Sequence, residues 1–83
     1  MKSKAEPERL ETTDLLLIEI GLKVRRLRKS INNHYEKFAA EHHINKVTLS
    51  RIESGSNYNM SSFLKVLNAL QISPREFFID INS

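Results

Sequence analysis

Residues 35–55 constrain the fold of this 83-residue chain more than any other stretch. Two short segments there place apolar side chains at helical spacing, and a tight turn near residue 43 separates them. The inward-facing side chains are Phe38 and Ala39 in the first segment and Leu49 and Ile52 in the second. In the second segment, cationic and hydroxyl side chains lie on the opposite face. The pattern predicts a helix-turn-helix, whose second helix is packed on one side and exposed enough to enter a DNA major groove.

Capping residues mark the ends of these two helices. Asn33, followed three residues later by Glu36, has the spacing of a capping box and predicts the start of the first helix, which runs to about His42. Asn45 is a good N-cap for the second helix. Gly55 stands where a residue with left-handed backbone is expected to close that helix.

A longer helix precedes the motif. We expect it to begin near Thr13, a suitable N-cap, with Asp14 in its first turn, where the helix dipole favours a carboxylate. Its apolar residues step by three and four and form one core-facing stripe. These residues are Leu17, Ile20, Val24, Leu27 and Ile31. Residues 1–12 are polar, contain Pro7 and lack periodicity, which indicates a flexible arm before a folded domain of residues 13–83.

The same helix carries a second apolar stripe on a different side, formed by Leu15, Ile18 and Leu22. A helix that faces a single core needs only one stripe, so something else must cover the second. It either meets another chain or is covered by a C-terminal segment of the same chain.

Two further helices are expected after the motif. The fourth has a plain core face at helical spacing, made of Phe63, Val66, Leu67 and Leu70. Ser73, Pro74 and Glu76 form a strong N-terminal cap for a short fifth helix. That helix ends in an apolar tail of Phe77, Phe78, Ile79 and Ile81. The tail either folds back against the first helix or pairs with the same segment of a second subunit.

Positive charge is concentrated on the motif. Residues 21–65 hold nine lysines and arginines against three glutamates, although the whole chain has a net charge of only +3. Such a distribution is typical of a protein with a polyanionic partner, while a basic face that simply contacts solvent is the alternative.

Composition excludes several classes of protein. The chain has no cysteine, so disulfides and thiolate metal sites are impossible. Its longest apolar run, residues 15–18, is too short to cross a bilayer, and the N-terminus lacks the apolar stretch of a signal peptide, so we expect a cytoplasmic protein without membrane contact. His34, His42 and His43 lack the spacing of a metal site. Without a phosphate loop or a paired nucleophile and base, neither an enzyme nor a cofactor is expected.

Taken together, these features resemble the Cro/CI (Xre-type) helix-turn-helix family of phage and bacterial repressors. Residues 20–28 resemble the first-helix signature of the family, and Phe38-Ala39 resembles the position of the motif's alanine. Residues 44–55 resemble its recognition helix with a Ser-x-Ile-Glu-x-Gly ending, and residues 68–74 resemble the close of its fourth helix. The resemblance implies an all-α, compact five-helix, lambda-repressor-like domain with the helix-turn-helix at helices 2 and 3.

The resemblance assigns base reading to Lys46, Val47 and Arg51, at the start and middle of the third helix. Lys46 and Arg51 can donate to guanine O6 and N7, and Val47 can pack on a thymine methyl group. Arg51 could instead contact a phosphate or lie free at the surface. Thr48 and Ser50 can also hydrogen-bond to bases, and for Ser50 a role as a small packing residue stays open.

Phosphate contacts are implied at the start of helix 2, at the start of helix 3 and in the loop after it, and at the end of helix 1. The residues are Tyr35, Asn45, Ser54, Ser56, Asn57, Tyr58 and Lys29. Because the loop has no lysine or arginine, the first helix is expected to supply much of the attraction. The cations expected to do so are Lys23, Arg25, Arg26 and Lys29.

Arg28 and Glu53 resemble the ion pair that joins the first and third helices in this family, and we expect it to serve architecture rather than DNA contact. The chain also departs from the family pattern at three positions. His43 replaces a glycine in the turn, which costs roughly 1 kcal/mol if the backbone there is left-handed. Asn33 replaces an apolar residue, and Met60 replaces a proline that often opens helix 4.

The sequence therefore predicts a sequence-specific regulator of transcription that binds double-stranded DNA as a homodimeric repressor, with half-sites about one helical turn apart. The expected dimer interface comprises Leu15, Ile18, Leu22, Phe77, Phe78, Ile79 and Ile81. A small-molecule ligand is not expected, because there is no room for a sensor domain. Two alternatives stay open. One is the antitoxin of a toxin–antitoxin pair, and the other is a protein-interaction module that has lost DNA binding; a protein partner would be a toxin or an anti-repressor.

Overall fold

Five helices and no strand make up residues 12–81, the part of the chain that the computed structural model describes. In chain order the helices are α1 (Thr12–Ile31), α2 (Tyr35–Glu41), α3 (Lys46–Ser54), α4 (Met60–Leu70) and α5 (Pro74–Phe78). The predicted all-α class and its five helices are confirmed. None of the described helices is both long enough and apolar enough to span a bilayer.

Side chains from all five helices and from the turn before α3 meet in one core. Its members are Val24, Phe38, Ala39, Ile44, Leu49, Ile52, Phe63, Val66, Leu67, Leu70 and Phe77. Every inward-facing residue predicted for helices 2 to 4 is among them. On α1, Val24 is fully buried and Ile20 and Leu27 pack against the core, as predicted. Ile31 is 53% exposed, because α1 ends there and its last turn extends past the core.

α1 and α3 pack closely because α1 has no side chain at Gly21. A β-carbon built on Gly21 would overlap the carbonyl oxygen of Ile52 and would lie 2.8 Å from that of Glu53. Both oxygens belong to the backbone near the C-terminal end of α3, so they cannot move aside without moving the helix. Gly21 therefore determines how closely α1 supports α3.

The turn between α2 and α3 has left-handed backbone at His43, with φ of 57°. The amide of the buried Ile44 donates to the carbonyl of Ala39 at 2.8 Å, which closes the turn. The cost of a non-glycine residue in this conformation, roughly 1 kcal/mol, is offset by the burial of Ile44 and the packing that follows from it. Gly55, with φ of 84°, closes α3 as predicted.

The start of α2 differs from the prediction. Its N-cap is His34, and Asn33 and Glu36 do not form the expected capping box. Instead, the side-chain oxygen of Asn32 accepts a hydrogen bond from the amide of His34 at 2.9 Å. This contact closes the turn one residue later, so α2 begins at Tyr35.

The N-terminal arm predicted over residues 1–12 lies outside the described residues except for Thr12, which is helical. Thr13 therefore lies inside α1 rather than at its N-cap. The first helix begins earlier than the sequence pattern indicated.

Both ends of α5 are held by side chains. At its start the predicted capping box is confirmed: the Ser73 hydroxyl accepts from the amide of Glu76 at 3.1 Å, and the Glu76 carboxylate accepts from the amide of Ser73 at 3.2 Å. Near its other end, Lys23 Nζ of α1 donates to the carbonyl of Phe77 at 2.6 Å and to Asp80 Oδ1 at 2.7 Å. The C-terminal segment is thereby tied to α1.

The apolar tail folds back on its own chain, which was one of the two possibilities. Phe77 is fully buried and meets the ring of Phe63 edge-on, with 5.4 Å between centroids. Its side chain is inaccessible to another chain, so its assignment to a subunit interface is wrong. Ile81 is partly buried against the core, whereas Phe78 and Ile79 are exposed.

The stripe formed by Leu15, Ile18 and Leu22, hereafter the α1 stripe, is not covered by the C-terminal segment. These side chains are 50%, 42% and 56% exposed, respectively. The α1 stripe is thus an apolar surface beside a core that is already complete.

Candidate nucleic-acid interface

The outer face of α3 presents the polar and cationic side chains that the sequence singled out. Its exposed residues are Lys46, Val47, Ser50, Arg51 and Ser54. They recur at intervals of one and three, so they share one side of the helix. The buried residues of α3, on the other side, are Leu49, Ile52 and Glu53. Thr48 is partly buried and lies off this face, so the structure does not bring it together with the other predicted base readers.

Asn45 fixes the start of α3. Its Oδ1 accepts hydrogen bonds from the amides of Val47, at 2.8 Å, and Thr48, at 3.2 Å, which confirms the predicted N-cap. The side-chain oxygen is fully committed to the cap. For the predicted phosphate contact, Asn45 can therefore use its side-chain NH2 group, which is a donor.

A buried ion pair joins α3 to α1. Arg28 Nε donates to Glu53 Oε2 and Arg28 Nη2 donates to Glu53 Oε1, each at 2.8 Å. Both side chains are only 4% exposed. This is the fork-to-fork geometry that fixes distance and angle together. Arg28 and Glu53 are thus in contact, as the resemblance implied, and they hold α3 by its inner face.

The same guanidinium also holds the segment between α1 and α2. Arg28 Nη1 donates to the carbonyls of Asn32, at 3.1 Å, and Asn33, at 3.0 Å. Its hydrogen bond to Glu53 raises the pKa of Arg28 above its ordinary value, against the opposing effect of burial. One side chain therefore connects α1, α3 and the entrance to α2.

An open cleft lies beside this ion pair on the surface. Its lining residues are Arg25, Arg28, Lys29, Tyr35, Ser50 and Glu53. Three cations and one carboxylate surround it, so it is net positive. It gathers Lys29 and Tyr35, predicted to contact phosphate, beside Ser50 of the outer face of α3. Ser50 is exposed, which argues against a packing role. Arg25 joins this group, with Nε 3.4 Å from Glu53 Oε1.

The loop after α3 is polar, but some of its side chains already make contacts within the chain. Ser54 Oγ donates to the carbonyl of Arg51 at 3.2 Å and lies 3.3 Å from Ser56 Oγ. Ser56 and Asn57 are exposed. Tyr58 differs from the predicted free loop side chain: its ring stacks on Phe63 with centroids 5.8 Å apart, and burial raises its pKa.

One acidic side chain of α2 approaches α3. Glu36 Oε2 lies 3.5 Å from Lys46 Nζ, and both side chains are exposed. An exposed pair at this distance contributes little to stability, so Lys46 can leave it at little cost. The local pattern does not indicate this pair, because the capping-box spacing predicts a different partner for Glu36.

Lys23 does not contribute to the interface, contrary to the prediction. It is 8% exposed and is committed to Phe77 and Asp80. A signal for this was present in the sequence, because Lys23 lies three residues after Ile20 and four before Leu27, which places it in line with the core stripe. The other three cations predicted for this role, Arg25, Arg26 and Lys29, are exposed.

Within residues 12–81, no three histidine or acidic side chains lie together in a way that could hold a metal ion. The ring of His42 packs against Phe38, with 4.5 Å between centroids. His42 therefore has a packing role at the end of α2.

Comparison with protein families identifies the family of the chain. A family model described as helix-turn-helix, of the Cro/C1 type, matches residues 24–77, from the middle of α1 into α5. No curated protein and no solved structure matches the chain significantly.

Proposed function

The chain belongs to the Cro/C1-type helix-turn-helix family, and from this premise we propose that it is a sequence-specific regulator of transcription. The family is one of DNA-binding regulators rather than of enzymes. In our proposal the protein acts in the cytoplasm as a homodimer and represses the genes beside its site.

The outer face of α3 is the observation that carries this proposal. Lys46 and Arg51 are exposed there and can donate to guanine O6 and N7, and the exposed Val47 can contact a thymine methyl group. Ser50 adds a hydroxyl at the edge of the cationic cleft. We leave Thr48 out of the base-reading set because it is partly buried.

Phosphate binding is proposed on either side of that face. The cleft offers Arg25, Lys29 and the Tyr35 hydroxyl, and the loop after α3 offers Ser56 and Asn57. Contacts of this kind fix register on the duplex, while the α3 side chains supply the sequence preference.

Selection of bound duplexes from a random pool tests the proposal. We expect the wild-type protein to enrich a sequence with two related half-sites about one helical turn apart. Arg51→Ala should lose the preference at one base pair of each half-site, a loss of about 1–3 kcal/mol of discrimination. Arg75→Ala removes an exposed arginine of α5 and serves as the matched control. Uniform weakening at every base pair would instead assign Arg51 to phosphate, and no enrichment at all would contradict the proposal.

A second candidate function is a protein-interaction module, and the exposed α1 stripe is the observation that favours it. Such a module would use the stripe to bind its partner and would have no need of the cationic cleft. Its binding to duplex DNA would be absent, whereas the proposed regulator binds DNA with a strong dependence on salt.

A further inference from the structure

The α1 stripe belongs to a part of the helix that precedes the family match, which begins at residue 24. Leu15, Ile18 and Leu22 are separated by three and then four residues, the spacing with which one helix packs along another. Arg25 and Lys29 continue the same spacing. The exposed face of α1 is therefore apolar in its first half and basic in its second half.

The charges beside the stripe are divided in the same way. Both exposed acidic residues of the described helix, Asp14 and Glu19, lie in the first half, and its exposed cations Arg25, Arg26 and Lys29 lie in the second. Asp14 and Arg25 are three turns apart and share one flank of the stripe. Glu19 and Arg26 are two turns apart and share the other. Each flank thus has a negative start and a positive end.

We infer that the α1 stripe packs against the α1 stripe of a second copy of this chain, with the two helices antiparallel. The inference rests on the proposed function, because it identifies the interface of the proposed homodimer. Antiparallel packing about a point near Ile18 places Arg25 and Lys29 of one helix far along the axis from Arg25 and Lys29 of the other, so the basic halves do not face each other. Glu19 of the two chains then lies near the axis. Parallel packing would set Arg25 and Lys29 against the same two residues of the partner, which is unfavourable.

A two-fold axis near Ile18 gives this packing a self-complementary register. Leu15 of one chain then lies opposite Leu22 of the other, and the reverse contact follows by symmetry. Leu22 also borders an open cleft between α1 and the C-terminal segment. The cleft is lined by Glu19, Leu22, Lys23, Arg26, Asp80 and Ile81.

The position of Ile18 relates this interface to the DNA-binding face. A β-carbon built on Gly55, at the end of α3, would lie 3.2 Å from the Cα of Ile18. An axis near Ile18 therefore has the C-terminal end of each α3 beside it. The two outer faces are then placed symmetrically about that axis, as one dimer on two half-sites requires.

Cysteine cross-linking tests both the interface and its polarity, because the chain has no cysteine of its own. Ile18→Cys is expected to form a disulfide between two copies under mild oxidation. Leu15→Cys and Leu22→Cys should cross-link poorly alone but efficiently when the two variants are mixed. Parallel packing would cross-link each variant with itself, and that result would overturn the inference. Leu64→Cys, an exposed leucine of α4, is the matched control and should remain uncross-linked.

Oligomeric state provides a second, independent measurement. Leu22→Glu should raise the dimer dissociation constant at least tenfold in sedimentation equilibrium, while Ile79→Glu and Leu64→Glu leave it unchanged. A dimer disrupted by Ile79→Glu and not by Leu22→Glu would assign the interface to the C-terminal tail and overturn the inference. A wild-type protein that stays monomeric, with and without DNA, would also overturn the inference. The α1 stripe would then bind residues 1–11 or another protein.

These outcomes separate the inference from the proposed function. Enrichment of a duplex by the wild-type protein tests DNA recognition and makes no use of the α1 stripe. Enrichment of single half-sites by a monomer would contradict this interface while preserving DNA recognition.

Discussion

At the scale of single residues, buried and exposed charges have different roles in this protein. Arg28 and Glu53 are almost inaccessible and satisfy each other's hydrogen bonds, so their value is geometric. Lys46 and Arg51 are exposed on the outer face of α3 and can bind a partner. Lys23 is buried and has a structural role like that of Arg28, whereas the nearby cations Arg25 and Arg26 are exposed.

Removal of one partner of the buried pair should be strongly destabilising. Glu53→Ala leaves the charge of Arg28 buried without its carboxylate, and we expect a loss of about 3–5 kcal/mol in the free energy of unfolding. Urea denaturation followed by circular dichroism measures it. The double variant Arg28→Met, Glu53→Leu should recover much of the loss, since it leaves no unpaired charge. An unchanged melting temperature for Glu53→Ala would contradict the architectural role.

Gly21 should tolerate no side chain despite its place in a helix. Alanine at an ordinary helix position gains about 1 kcal/mol over glycine, but at Gly21 its β-carbon meets the backbone of α3. Overpacking of this kind typically costs about 1–3 kcal/mol, so we expect Gly21→Ala to lower the melting temperature. Ala40→Gly, at an exposed position of α2, is the control for helix propensity alone. If Gly21→Ala raised the melting temperature instead, that result would contradict the close contact between α1 and α3 at Gly21.

At the scale of elements, each short helix is held in place by contacts outside itself. α3 is capped by Asn45, closed by Gly55 and bound through Glu53 to α1. α5 has only five residues and is marginal as an isolated helix. Burial of Phe77 and the two hydrogen bonds from Lys23 keep it folded against α1.

The attachment of α5 should weaken in acid. The hydrogen bond and charge of Lys23 lower the pKa of Asp80 from its ordinary value of 3.8. Since the folded-state pKa is below the unfolded one, the stabilisation is fully present above about pH 3.8 and is lost as the pH falls through the lower, folded-state value. Melting temperatures of wild type and Asp80→Asn should therefore differ at neutral pH and converge in acid. Glu41→Gln is the control. A difference in melting temperature between wild type and Asp80→Asn that grows in acid would contradict the stabilising role of the Lys23–Asp80 pair.

At the scale of the whole molecule, the core leaves two surfaces for partners. One is the cationic and polar surface made by the outer face of α3 and the neighbouring cleft, and the other is the α1 stripe. They are adjacent at Gly55 and Ile18, so the proposed DNA-binding face and the proposed dimer interface are neighbours on the molecule.

The salt dependence of DNA binding reports on this arrangement. If Arg25 and Lys29 of each subunit neutralise phosphates, a dimer neutralises about four, and log affinity should fall with log salt with a slope of about −3.6. Lys29→Ala should reduce the magnitude of that slope by about 1.8, because it removes one contact per subunit. Fluorescence anisotropy on a duplex obtained by selection measures both, with Arg75→Ala as the control. A slope near zero would favour the protein-interaction module.

Features that depend on local patterns could be predicted from the amino-acid sequence. Apolar spacing located the five helices and the inward residues of helices 2 to 4, and side-chain chemistry located the caps at Asn45, Gly55 and Ser73. Such signals are readable because a helix cap or a helix face involves residues only a few positions apart. The family resemblance, confirmed over residues 24–77, added the pairing of Arg28 with Glu53.

Contacts between distant residues became visible only in the folded structure. It buried Phe77 in its own chain, committed Lys23 to α5, stacked Tyr58 on Phe63 and set Glu36 beside Lys46. It also left the α1 stripe exposed, since the C-terminal segment packs elsewhere on α1. A helical pattern shows that a residue lies on a given face, but what meets that face depends on how the helices pack, and neither local spacing nor side-chain type determines that.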